Sequence, residues 1–141
     1  MEIIYDSIKL STKGKVDIHN ITRKVESIIL KNSIENGLVN IFIPGATGAL
    51  TTMEYENGLI KDTQEMFFEI IKENKKYYHD ESHTIGNATS HLRASLIGPS
   101  LTIPIKGSKL CLGTWQEVVF IEFDNRPRER EVLITIIGEK S

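Results

Sequence analysis

The run Tyr77-Tyr78-His79-Asp80-Glu81 is dense in titratable groups, and Asn87, His91 and Arg93 follow it closely. A histidine beside a carboxylate can act as a general acid or base, ligate a metal, or face a phosphate. His79 and His91 are the residues that such chemistry would use, if the fold closes the polar stretch between them. Spacing alone leaves a plainer alternative, a solvated loop with two ordinary histidines. His83, in Glu81-Ser82-His83-Thr84, reads as exposed, and His19 belongs to a turn before the first helix. No HExxH, CxxC or EF-hand pattern marks a metal site.

Arg126, Arg128 and Arg130 recur at every second residue. In an extended segment their guanidinium groups point to one face, where they suit a phosphate or pyrophosphate because arginine binds such anions through two parallel hydrogen bonds. Glu129 and Glu131 interleave with them, so a surface strand of alternating charge is the other reading. Gly113-Thr114-Trp115-Gln116 offers an indole that can stack on a heteroaromatic ring and an amide that can read its edge; a core or interface anchor is the structural alternative for the Trp. Cys111, between Leu110 and Leu112, is expected as a buried, inert thiol. No GxSxG, P-loop or dinucleotide fingerprint is present, which leaves serine hydrolase, NTPase and dehydrogenase readings without local support.

The elements that must position these residues follow from apolar periodicity. Strands are expected over 3–10 and 16–19, with a turn at Lys13-Gly14-Lys15. Asn20 is the candidate cap of a helix whose stripe is Ile21, Val25, Ile28 and Ile29. Strands over 38–44 and 49–55 flank the small-residue loop Gly45-Ala46-Thr47-Gly48. A second helix is expected over 59–74, with Ile60, Phe67, Ile70 and Ile71 as its stripe, and a short helical turn over 90–97. Four strands close the chain, over 101–105, 109–115, 117–123 and 131–137. The order ββ-α-ββ-α-ββββ points to an α+β fold with a mostly antiparallel sheet and two helices on one face. Val118-Val119-Phe120-Ile121 and the run from Val132 to Ile137 put apolar side chains on both faces of their strands. Two helices cover one side only, so a homo-oligomer packed sheet against sheet is expected, unless the sheet curls on itself into a barrel-like sandwich.

The bulk numbers agree with a single domain over residues 1–141. With 17 basic and 19 acidic residues, net charge −2, the chain has no long-range attraction for nucleic acid or anionic lipid. One cysteine cannot form an internal disulfide, no apolar run is long enough to span a bilayer, and the N-terminus is acidic where a signal peptide is basic. A cytoplasmic protein without nucleic-acid or membrane partners is the expectation.

Longer stretches carry a resemblance. Gly45-Ala46-Thr47-Gly48-Ala49-Leu50-Thr51 with Glu54, Tyr78-His79-Asp80, the run from His91 to Pro104, Leu112-Gly113-Thr114-Trp115-Gln116, Glu122-Phe123-Asp124 and Arg126-Pro127-Arg128-Glu129-Arg130 resemble, in order, the YjbQ-like family, described as secondary thiamine-phosphate synthases. The resemblance implies a homotrimer with sheets packed around its axis and a polar site near the subunit interface. That site would be built from His79, Asp80, Asn87, His91 and the arginine segment. It further implies that a hydroxymethylpyrimidine pyrophosphate is joined to a thiazole phosphate with release of pyrophosphate. His79, His91 and Asp80 would be catalytic and would hold a divalent ion, magnesium or zinc. Asn87, Arg93, Trp115, Gln116, Arg126, Arg128 and Arg130 would bind substrate. A non-catalytic module for a phosphorylated small molecule and a metal-dependent hydrolase are the alternatives. Gly45 departs from the family, since many bacterial members have a histidine there.

Overall fold

Strand alternation sorts the chain into two antiparallel sheets. The computed structural model describes residues 1–82 and 85–141; His83 lies outside the described residues. The elements run β1 (Glu2–Ser11), β2 (Asp17–Asn20), α1 (Thr22–Lys31), β3 (Ile34–Phe42), β4 (Gly48–Met53), α2 (Asn57–Ile70), α3 (Tyr78–Ser82), α4 (Ala88–Ile97), β5 (Ser100–Lys106), β6 (Lys109–Leu110), β7 (Glu117–Glu122) and β8 (Glu129–Lys140). Among the described residues, β1-β8-β3-β5-β6 form a five-stranded sheet and β2-β7-β4 a three-stranded one. Every pairing is antiparallel, so the expected α+β class is observed.

Among the described residues four helices are present where two helices and a short helical turn over 90–97 are expected, and they do not share one face. Helix α1 buries Val25, Ile28 and Ile29 against the inner face of the large sheet, beside Leu50, Val118 and Phe120 of the small sheet. The opposite face of the small sheet, with Ala49, Val119 and Ile121, packs on Phe67 of α2 and Ala94 of α4. Strand β7 is therefore apolar on both faces because this chain covers both, and it needs no partner for that. Each such aliphatic or aromatic side chain contributes about 1.5–3 kcal/mol on burial. Strand β8 differs: Val132, Ile134 and Ile136 point inward, while Leu133 and Ile137 are exposed on the outer face. Among the described residues no helix is long and apolar enough to cross a membrane.

Several boundaries move for physical reasons. Helix α1 starts at Thr22, and the Asn20 side chain accepts from the Thr22 N–H (3.1 Å) and hydroxyl (2.8 Å). Helix α2 starts early because the Glu56 carboxylate accepts from the backbone N–H groups of Gly58 and Leu59. It also ends early, at Ile70; of its expected stripe only Phe67 is fully buried, and Ile70 is exposed. The expected strand over 109–115 is only Lys109–Leu110, because the Gln116 side chain accepts from the Gly113 N–H and makes a turn. Cys111 is exposed rather than buried. Its neighbours Leu110 and Leu112 pack on the core, and successive side chains in an extended segment point to opposite sides.

Candidate functional site

Helices α3 and α4 bring His79 and His91 together. The Asp80 carboxylate makes the turn: its Oδ1 accepts from the Ala88 N–H at the start of α4 (3.1 Å) and meets His79 Nδ1 (3.1 Å). One acidic oxygen thus satisfies an N-terminal helix donor and orients an imidazole. His91 lies one turn into α4, its ring centroid 4.9 Å from that of His79 at an interplanar angle of 51°. Both histidines are half-buried. They border a cavity of about 350 Å³ with Tyr77, Tyr78, Ala88 and Leu92. His91 also borders a second cavity of about 260 Å³, with Gly45, Ala46, Gly48, Ala94, Ser95, Gly98 and Pro99. It therefore stands between an aromatic-walled space and a small glycine-walled one. Among the described residues, no group of three His, Cys, Asp or Glu residues is placed to hold a metal ion.

Beneath the second cavity lies a buried polar network. Arg130 donates from Nε (2.7 Å) and Nη2 to the two oxygens of Glu122, which also accepts from the Thr12 hydroxyl (2.7 Å). Arg130 Nη2 donates to the Thr47 hydroxyl (2.8 Å), which donates to Asp124 (3.2 Å). Arg128 and Asn87 also bond the Asp124 carboxylate. Asn87 thus holds the start of α4, and with it His91, to the end of β7. Burial alone would raise the Asp124 carboxyl. The Asn125 backbone N–H and the Arg128 and Asn87 side chains together outweigh that and hold it below the ordinary carboxylate range. A depressed carboxyl contributes stability that is present above its unfolded pKa and lost as pH falls through its folded one. Unfolding measured from neutral to acid pH should show the wild type losing stability below about pH 4 more steeply than Asp124→Asn. Parallel curves would contradict this assignment.

The other expected substrate residues lie elsewhere. Arg93 is 1% exposed and closes the end of α2. It donates to the Phe67 (3.3 Å) and Ile71 (2.6 Å) carbonyls and to Glu73 (2.9 Å), and stacks over Phe68. All three of its guanidinium nitrogens are engaged within the chain. The three arginines do not present a common face. Arg126 is exposed in a bend, Arg128 is half-buried on Asp124, and Arg130 is buried. Trp115, 72% exposed, borders a cavity of about 530 Å³ with Glu54, Tyr55 and Glu117. Gln116 is exposed beside it and donates to the Thr52 hydroxyl (3.0 Å). Strand β4 runs from Gly48 at the histidine end to Met53 at the Trp115 end, a separation of about 17 Å along its length.

Thr12, Thr47, Glu122 and Asp124 escape the sequence reading as site-forming residues. Glu122 carries the one available signal, a carboxylate at the end of the apolar run Val118-Val119-Phe120-Ile121, where burial demands a cation.

Comparison with known proteins places these features in a family. A UPF0047 protein from Archaeoglobus fulgidus is 39% identical over 127 residues, covering 90% of this chain and 96% of that protein. One from Methanothermobacter thermautotrophicus is 33% identical over 99% of this chain and 95% of that protein. The crystal structure of a YbjQ-like protein of unknown function from Sulfolobus solfataricus P2 matches with a TM-score of 0.92 and 32% identity, over 98% of this chain and 99% of that one. A hypothetical protein from Aeropyrum pernix K1 matches with a TM-score of 0.89 and 34% identity, over 99% of this chain and 100% of that one. The family model described as UPF0047 protein YjbQ-like matches residues 6–139, and the chain belongs to the YjbQ-like family.

Proposed function

We propose that the protein is a weak, cytoplasmic transferase of the thiamine-phosphate synthase type, working at the His79–His91 end. The observation that carries this reading is the position of His91, in ring contact with an Asp80-oriented His79 and between two cavities of different character. The space walled by Tyr77, Tyr78 and Leu92 suits a flat heteroaromatic ring. The smaller space suits a phosphate-sized group. In the reaction, the bond from the pyrimidine methylene carbon to pyrophosphate oxygen breaks and its electron pair leaves with the pyrophosphate. The ring nitrogen of the thiazole phosphate gives its lone pair to that carbon. His91 donates a hydrogen bond to the departing oxygen, and His79 holds His91 in place. A magnesium ion accompanying the pyrophosphate would offset part of the charge that leaves with it.

The same proposal includes self-association as a homotrimer through the outer face of the large sheet. Ile3, Tyr5, Leu38, Phe42, Leu133 and Ile137 are all exposed there. The second reading is a non-catalytic module for a phosphorylated small molecule. It is favoured by Arg128 and Arg130 being committed to carboxylates, which leaves less positive charge to stabilise a departing pyrophosphate.

A fluorescence assay for thiamine phosphate, with both precursors and Mg²⁺, tests the proposal. Wild type should form product, and His91→Ala and His79→Ala should reduce turnover about 100-fold and somewhat less, respectively. No product above a control without protein, or product unchanged by both substitutions, would sink it.

A further inference from the structure

We infer that the cavity between Gly45, Gly48, His91, Ser95 and Gly98 is a site for a phosphate-sized oxyanion, with Arg130 Nη1 as its charged donor and Gly45 as the opening to that donor. This rests on the proposed function only for placing the ligand at this end of the molecule; it does not require turnover.

Arg130 is 6% exposed, and its Nε and Nη2 are taken by Glu122 and Thr47. Nη1 has no hydrogen-bond partner among the described residues. Every sealed-off side-chain nitrogen or oxygen among them has one, so Nη1 is where this buried guanidinium touches solvent. A Cβ built on Gly45 would meet Nη1 at 3.3 Å and nothing else within 4 Å apart from its chain neighbours. Gly45 borders the cavity, and its φ of +110° is a conformation that other residues rarely adopt. The loop thus combines glycine-only backbone with an unused guanidinium N–H directly behind the missing side chain.

The rest of the wall agrees with an acceptor-rich ligand. Carbonyl groups at the end of α4 would repel an anion, but those of Ala94, Gly98 and Pro99 are already taken by the N–H groups of Gly98, Leu50 and Ile43. The facing carboxylates are also engaged: Glu122 by Arg130 and Thr12, Asp124 by Arg128, Thr47 and Asn87. Nη1 can only donate, and the imidazole of His91 and the hydroxyl of Ser95 can donate to the same ligand. About 260 Å³ accommodates a phosphate group and leaves room for what is attached to it.

Inorganic phosphate titrated into the wild-type protein, followed by calorimetry and by ¹H–¹⁵N NMR, tests the inference. Binding should be weakened at least tenfold in Gly45→Ala and in Arg130→Lys, which keeps the charge but removes Nη1. Amide shifts in the wild type should concentrate at residues 45–48 and 91–98 and spare 54–57 and 114–117, so the result stands even if a variant folds poorly. Thiazole phosphate binding more tightly than inorganic phosphate identifies the ligand as the phosphoryl end of a larger molecule; binding no tighter identifies the free ion. Absent binding, shifts elsewhere, or unchanged affinity in both folded variants would overturn the inference, even if turnover depends on His79. Conversely, phosphate bound here with no histidine-dependent product leaves the site standing and removes the thiamine reading.

Discussion

Arg130→Ala and Glu122→Ala should each destabilise the fold by about 3–5 kcal/mol, because either change leaves a buried charge without its counter-charge. The side chains of Arg130 and Glu122 are 5% and 0% exposed, and both Glu122 oxygens are held by the guanidinium. Removing Arg130 also takes a donor from the Thr47 hydroxyl, whose remaining bond is the one it donates to Asp124. The paired replacement Glu122→Leu with Arg130→Met should recover most of the loss, since a well-packed apolar pair avoids desolvating two ions. Denaturant unfolding at one fixed protein concentration measures all four proteins, and an unchanged slope would show that stability rather than compactness has changed. Single variants within about 1 kcal/mol of wild type would mean that the pair is exposed and exchangeable, as surface ion pairs are.

This pair also shows where sequence reading succeeds and stops. The strands and α1 are legible because their apolar side chains recur with the right period: Val25, Ile28 and Ile29 make the stripe, and all three are buried. Arg130 is legible in principle for the same reason. It shares the inward phase of Val132, Ile134 and Ile136, which predicts burial rather than a place on a solvated surface. Helix α4 is harder. It buries Ala88, Thr89, Ser90, Arg93 and Ala94, and small or polar side chains leave no apolar stripe to read. The helical turn expected over 90–97 consequently misses its first two residues, Ala88 and Thr89. The approach of His79 to His91 is harder still, because it depends on a single carboxylate, Asp80, reaching the Ala88 N–H, and no spacing rule encodes that. The Trp115 end shows the reverse limit. Trp115 and Gln116 are expected to bind the same substrate as the histidines, while β4 holds the two ends apart within one protomer.

Leu133→Lys combined with Ile137→Lys should convert an oligomer into a folded 16.0 kDa monomer. The outer face of the large sheet is apolar in register: Ile137 pairs with Ile3 on one side and Leu38 on the other, and Leu133 pairs with Phe42. An exposed patch of this kind is a liability for a solitary chain, and the proposed trimer would cover it. Two lysines would place unpaired ammonium groups in its centre, while the inward phase of β8, with Val132, Ile134 and Ile136, remains unchanged. Light scattering coupled to size exclusion should report a trimer for wild type and a monomer for the variant, with circular dichroism unaltered. A wild-type monomer, or a variant that still assembles, would exclude this face as the trimer contact. The same variant tests whether the two ends of β4 cooperate. The roughly 17 Å along that strand keeps Trp115 and His91 apart on one small ligand's scale within one protomer. A neighbouring subunit is then the remaining way to unite them. Turnover lost in a folded monomer would support a shared site, whereas turnover retained would leave Trp115 and Gln116 without a part in the reaction.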